Sequence, residues 1–81
     1  MYPVYRNIAY TLNGLAEVYR EQNKYGQAEP LYQRALHIWE QVLGPEHPYT
    51  RGTAKDYVLL LRAMKRDGEA DELEARFPPE A

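Results

Sequence analysis

The sequence predicts an all-α fold: a helical repeat (an α-α superhelix) of two antiparallel helix pairs. Three observations predict it. Apolar residues recur at steps of three and four along most of the chain, as they do on one face of an α-helix. Gly, Pro and Asn punctuate that pattern at a few short stretches. The second half also repeats the first at an offset of 42 residues.

The first helix is predicted near 8–22, with a stripe of Ile8, Leu12, Leu15, Ala16 and Tyr19 and with Asn7 as its N-cap. It ends at "EQNKYGQ", where Asn23 takes the left-handed conformation and Gly26 eases re-entry into a helix. The second helix is predicted near 26–43. Its stripe is the most regular of the four, with Ala28, Leu31, Tyr32, Ala35, Leu36, Trp39, Val42 and Leu43 on one face and Ile38 off it. Pro30 falls inside this helix, where it removes one backbone hydrogen bond and bends the first turns slightly. So short a turn between the two helices forces them to pack antiparallel.

"LGPEHP" is a hard stop and a fresh start. Gly44 is the expected left-handed residue after the second helix, Pro45 cannot continue it, and His47 and Pro48 open the next. The third helix is predicted near 49–65, on Ala54, Tyr57, Val58, Leu61 and Met64. Gly68 marks a further turn, and a short fourth helix near 69–77 carries Ala70, Leu73 and Phe77 before "FPPEA" ends it.

Aligned at the 42-residue offset, Thr11 meets Thr53, Arg20 meets Arg62, Gly26 meets Gly68, Ala28 meets Ala70, Leu31 meets Leu73 and Arg34 meets Arg76. Helix pairs at such a period are the signature of a solenoid. The first copy, with Leu12, Leu15, Ala16, Tyr19, Ala28, Tyr32 and Ala35 in their spacing, resembles the tetratricopeptide repeat, with Leu12 where the pattern usually has Trp. Glu40 stands where that repeat usually closes with Pro. The helix running on to "LGPEHP" is similar to the 42-residue repeats of kinesin light chain and its bacterial relatives.

The second copy departs from the pattern: Val58 replaces the small residue, Leu61 the Tyr, Glu74 the second aromatic and Phe77 the Ala. The resemblance implies one domain over 1–81, with repeat 1 near 8–47, repeat 2 near 48–77 acting as a C-terminal cap, and a tail at 78–81. Glu74 is then expected to face solvent, which marks the C-terminal portion of an array. "MYPVY" and Ile8 leave the opposite end sticky and uncapped, suited to a preceding repeat or to a homodimer.

Composition excludes several functions. No Cys and no Ser are present, which removes thiol and serine nucleophiles, disulfides and thiolate metal sites. A net charge of -2 gives no electrostatic footprint for nucleic acid. The longest apolar run, Val58 to Leu61, is far short of a membrane span, and no signal peptide is visible, so a cytoplasmic location is expected. His37 and His47 lack metal-ligand spacing, and Glu17 and Glu21 lack a pocket for acid–base work. Tyr19, Tyr32 and Tyr57 belong to buried stripes and not to base stacking, and Trp39 reads as core. No enzyme, cofactor or metal is expected.

What remains is binding of a protein or peptide partner. Asn13, Glu17 and Arg20 share one face of the first helix beside its buried stripe, and Lys55, Leu59 and Arg62 are their counterparts on the third helix, with Tyr10 and Asp56 at the rim. The resemblance implies that these faces line a concave peptide groove in which Asn13 bonds the backbone of an extended peptide. The carboxylate-clamp pattern of chaperone-tail binders is absent, because Asn13, Glu17, Lys55 and Leu59 do not supply its Lys and two Asn.

Overall fold

A computed structural model of the chain describes residues 3–78. Met1, Tyr2 and the predicted tail beyond Pro78 lie outside the described residues, as do the side chains of Pro3 and Val4. Four helices follow one another: α1 (Pro3–Glu21), α2 (Tyr25–Leu43), α3 (Pro48–Ala63) and α4 (Asp67–Arg76).

Each starts slightly earlier than the periodicity predicts. Pro3 occupies the first position of α1, where its fixed φ suits a helix and its missing N–H costs nothing. Asn7 therefore lies inside α1 and does not cap it. Pro30 is accommodated within a continuous α2. Gly44, at φ 88°, ends α2, and its N–H reaches the Glu40 carbonyl at 3.1 Å. His47 caps α3, its Nδ1 accepting from the Tyr49 N–H at 3.1 Å, with Pro48 in the first turn.

The duplication shows in the backbone as well as in the side chains. In the α1–α2 turn the Lys24 N–H bonds the Tyr19 carbonyl at 2.8 Å and the Asn23 N–H bonds the Arg20 carbonyl at 2.9 Å. In the α3–α4 turn Arg66 bonds Leu61 at 2.9 Å and Lys65 bonds Arg62 at 3.0 Å. Both are the Schellman closure of a helix end, and every participant is displaced by the same 42 positions. The left-handed residues are Asn23 and Lys65, both at φ 63°. Gly26 lies in the first turn of α2, where re-entry into the helix is expected, whereas Gly68, predicted to mark the turn before α4, lies within its first turn. Asn tolerates a positive φ, whereas Lys adopts it against steric preference, held there by the two turn bonds.

The helices pack in order, each on the next, and α1 also touches α3. Ala9, Leu12 and Ala16 of α1 meet Ala28, Tyr32, Ala35, Leu36 and Trp39 of α2, so small residues let the pair approach closely. The middle helix α3 is covered from two sides: Thr50, Thr53, Ala54, Tyr57, Val58, Leu60 and Leu61 are all buried. Ala70 and Leu73 of α4, with Phe77 just after it, close the core. Ile8 and Leu15, predicted in the buried stripe of α1, are exposed instead: Ile8 lies at the open edge of the α1–α2 seam near Pro30 and Gln33, and no further element among the described residues covers that side of α1.

One polar network joins the two hairpins. Arg66, in the α3–α4 turn, grips Glu29 of α2 with two nitrogens at 2.7 and 2.8 Å and Glu69 with two at 2.7 and 2.6 Å. Glu29 also accepts from the Tyr57 hydroxyl at 2.8 Å, and that hydroxyl accepts from Gln33 at 2.8 Å. Such charge-assisted, two-pronged bonds fix geometry as well as adding energy. Tyr57 stacks on Tyr32 at 6.2 Å, and burial pushes its phenol up to about 12, with the Glu29 bond acting the same way.

Two outcomes follow. Lys65→Asn relieves the positive φ and raises stability by roughly 0.5–1 kcal/mol, read from urea unfolding. Glu29→Gln costs about 1.5–3 kcal/mol at pH 7. The Arg66 hydrogen bond, foremost, holds the Glu29 carboxyl below its ordinary 4.5, so its stabilisation is complete above pH 4.5 and is lost as pH falls through the lower folded value. The gap between wild type and Glu29→Gln therefore closes in acid, and a gap independent of pH contradicts the assignment.

Candidate functional site

Between α1 and α3 runs an open groove of about 500 Å³. Its existence follows from the packing: α2 lies behind both helices, so the faces of α1 and α3 turned from it meet only lightly. Five of the eight residues singled out in the sequence line it: Tyr10 and Asn13 from α1, Lys55, Asp56 and Leu59 from α3. Glu17 and Arg20 continue the α1 side and pair with each other at 3.8 Å.

Arg62 is not brought to the groove. It turns toward α4, where Asp67, Asp71 and Glu74 hold it at 3.7, 3.0 and 2.9 Å. Three carboxylates on one neighbouring helix outcompete the single acid that lines the groove, Asp56. Glu74 is exposed as expected, though its carboxylate is engaged by Arg62.

At one end of the groove three aromatic rings meet, two of the three pairs edge to face and the third tilted. Tyr10 and Trp39 have centroids 5.2 Å apart, Tyr10 and Tyr49 5.4 Å, and Trp39 and Tyr49 5.3 Å. His47 adds a fourth ring 5.0 Å from Tyr49. Trp39 is only 2% exposed and forms the floor, while Tyr10 and Tyr49 stand about half out of the surface. Spacings this short leave no room for a cation between the rings, so the cluster is a platform and not a cage. The Tyr49 hydroxyl beside it, then burial, raises the Tyr10 phenol above its ordinary value.

Farther along, the Thr53 hydroxyl donates to the Asn13 Oδ1 at 3.0 Å. This fixes the Asn13 amide in place and leaves its NH2 without a hydrogen bond among the described residues. Beside it the Asp56 carboxylate is half-buried and makes no ion pair or hydrogen bond among the described residues. Burial, which outweighs the opposing pull of Arg20, holds its carboxyl above the ordinary value, and Glu17 adds to the rise. Underneath, the Tyr32 hydroxyl is fully buried with no partner, its phenol pushed up to about 12 by burial.

The sequence reasoning missed Trp39, Pro48, Tyr49, Gly52 and Thr53 as lining residues. Trp39 lies on the core stripe and reaches the groove only through its ring edge. Tyr49 and Gly52 had a signal: with Asp56 and Leu59 they form an i, i+3, i+7, i+10 row on α3. Elsewhere, among the described residues, no group of three His or acidic side chains is placed to hold a metal, and no helix is long and apolar enough to cross a membrane.

Residues 8–49, just over half of the chain, match the family model of the tetratricopeptide repeat. No curated protein matches the chain.

The two aromatic roles separate by mutation. Trp39→Ala removes a buried indole and costs about 3–5 kcal/mol, whereas Tyr49→Ala, which strips only a half-exposed ring, costs about 0.5–1.5 kcal/mol. Thermal unfolding of the two variants checks this ranking.

Proposed function

The chain belongs to the tetratricopeptide repeat family, whose members generally mediate contacts between proteins, and from that premise we propose that the α1–α3 groove receives an extended segment of a partner protein. One observation carries this reading. A fixed amide on Asn13 with its donor free, a half-exposed aromatic platform and the exposed Leu59 all open onto one groove. The Asn13 NH2 suits a peptide carbonyl, the platform suits an apolar side chain, and Leu59 adds apolar burial at the far end. Nothing in this arrangement positions a nucleophile or an acid–base pair, so the reading is a scaffold without chemistry.

A second reading, self-association, is favoured by a different surface. Ile8, Thr11, Leu15 and Val18 of α1 are the 42-residue counterparts of Thr50, Thr53, Tyr57 and Leu60 of α3, all of which are buried. Leu15 is 42% exposed where its counterpart Tyr57 is 8% exposed. That face has the register of a repeat interface and lacks its neighbour, so a further repeat or a second copy of the chain completes it.

The two surfaces are tested apart. Peptide-library selection against the wild type yields ligands whose affinity drops about tenfold or more with Asn13→Ala combined with Leu59→Glu. Ligands unaffected by that pair remove the groove from consideration. Sedimentation velocity reads the other face: Leu15→Glu shifts any dimer to monomer and leaves selected ligands bound.

A further inference from the structure

The lining of the groove says what kind of segment it prefers, an inference that rests on the peptide-binding reading above. On α3 the row Tyr49, Gly52, Asp56, Leu59 runs along one side of the groove. Gly52 sits between the aromatic platform and the carboxylate, and a Cβ added there would meet no atom within 4 Å. The middle of that side is therefore open to a peptide main chain. From Tyr49 to Asp56 is seven helical positions, about 10 Å along the axis. An extended strand covers that distance in about three residues.

The charges differ in worth. Arg62 is withdrawn by the three carboxylates near α4, and Arg20 is paired with Glu17. Two unpaired charges remain on the groove, Lys55 and Asp56. Lys55 is exposed, and an exposed ammonium gives a ligand little. Asp56 is half-buried, about two helical turns along α3 from Tyr49, and with Arg20 it is the principal charged neighbour of the unpartnered Tyr32 hydroxyl. A desolvated carboxylate without a partner gains most from a cation brought to it.

We propose that the groove selects an extended peptide carrying an aromatic or large aliphatic side chain for the Tyr10–Trp39–Tyr49 platform and, three residues away, a Lys or Arg side chain for Asp56.

Fluorescence anisotropy with labelled eight-residue peptides tests it on the 81-residue chain. The peptides present Trp-x-x-Arg, Trp-x-x-Glu or Ala-x-x-Arg in a Gly/Ser background. Trp-x-x-Arg is expected to bind about tenfold or more tighter than either control. Asp56→Asn brings Trp-x-x-Arg and Trp-x-x-Glu to near parity, Asp56→Glu retains the preference, and Tyr49→Ala weakens both peptides alike. Relieved of a desolvated charge, Asp56→Asn also unfolds at a higher temperature than wild type at pH 7, so its binding loss is not a folding loss. Equal or better binding of the acidic peptide, a preference that survives Asp56→Asn, or no binding of any of the three overturns the proposal. The library selection still stands in those cases if its ligands respond to Asn13 and Leu59, which separates failure of the specificity from failure of the groove.

Discussion

Everything in this molecule depends on the burial of α3 between two neighbours. A short helix with an ordinary amphipathic stripe covers one flank only, and an isolated hairpin of this size cannot bury enough surface to hold itself together. Here α3 receives α2 on one side and α4 on the other, so residues that a lone helix would show to water, Thr50 and Leu60 among them, are wholly enclosed. The Arg66 network adds direction to that burial. It ties the α3–α4 turn to Glu29 of α2 and fixes how far the second hairpin rotates on the first. The angle set there also sets the width of the groove on the opposite side.

The groove is thus a by-product of core packing, and its polar fittings are cheaply placed. Asn13 is oriented by a single hydrogen bond from Thr53, a residue buried for reasons of stacking. Trp39 serves the α2 core with most of its ring and the groove with an edge. Asp56 is the exception, a carboxylate kept in a partly desolvated position without a partner. Such a residue works against stability, and local conflict of that kind is expected where a surface has work other than folding.

Much of the architecture was legible because it rests on periodicity and on a few residues with restricted backbones. The α2 stripe, the left-handed Asn23 and Gly44, and the His47–Pro48 start each follow from local chemistry. The failures are of another kind. Both Ile8 and Ala9 lie on apolar sides of α1, and periodicity cannot say which side a neighbour will cover. Gly68 suggested a turn residue by composition, whereas the second turn is closed by Lys65, the counterpart of Asn23, and Gly68 lies inside α4. Arg62 has the register of a groove residue, but its destination was decided by three acids whose proximity exists only after α4 folds back. Long charged side chains choose partners in space, and a helical wheel does not hold that information.

The Arg62 cluster has a consequence for how such modules are joined. At the matching place in the first hairpin, Tyr32 offers an aromatic face on which the next hairpin's Tyr57 stacks. Glu74 offers a charged group instead, already neutralised by Arg62. A unit docking behind α4 must strip that guanidinium from its acids and set an apolar residue against the vacated carboxylate, whereas one docking ahead of α1 meets Ile8, Leu15 and Val18 with no such toll. The molecule is therefore polar as a building block: tandem fusions made in the laboratory will extend it forward from its amino-terminal side, and the reverse order demands that the acidic edge be rewritten first.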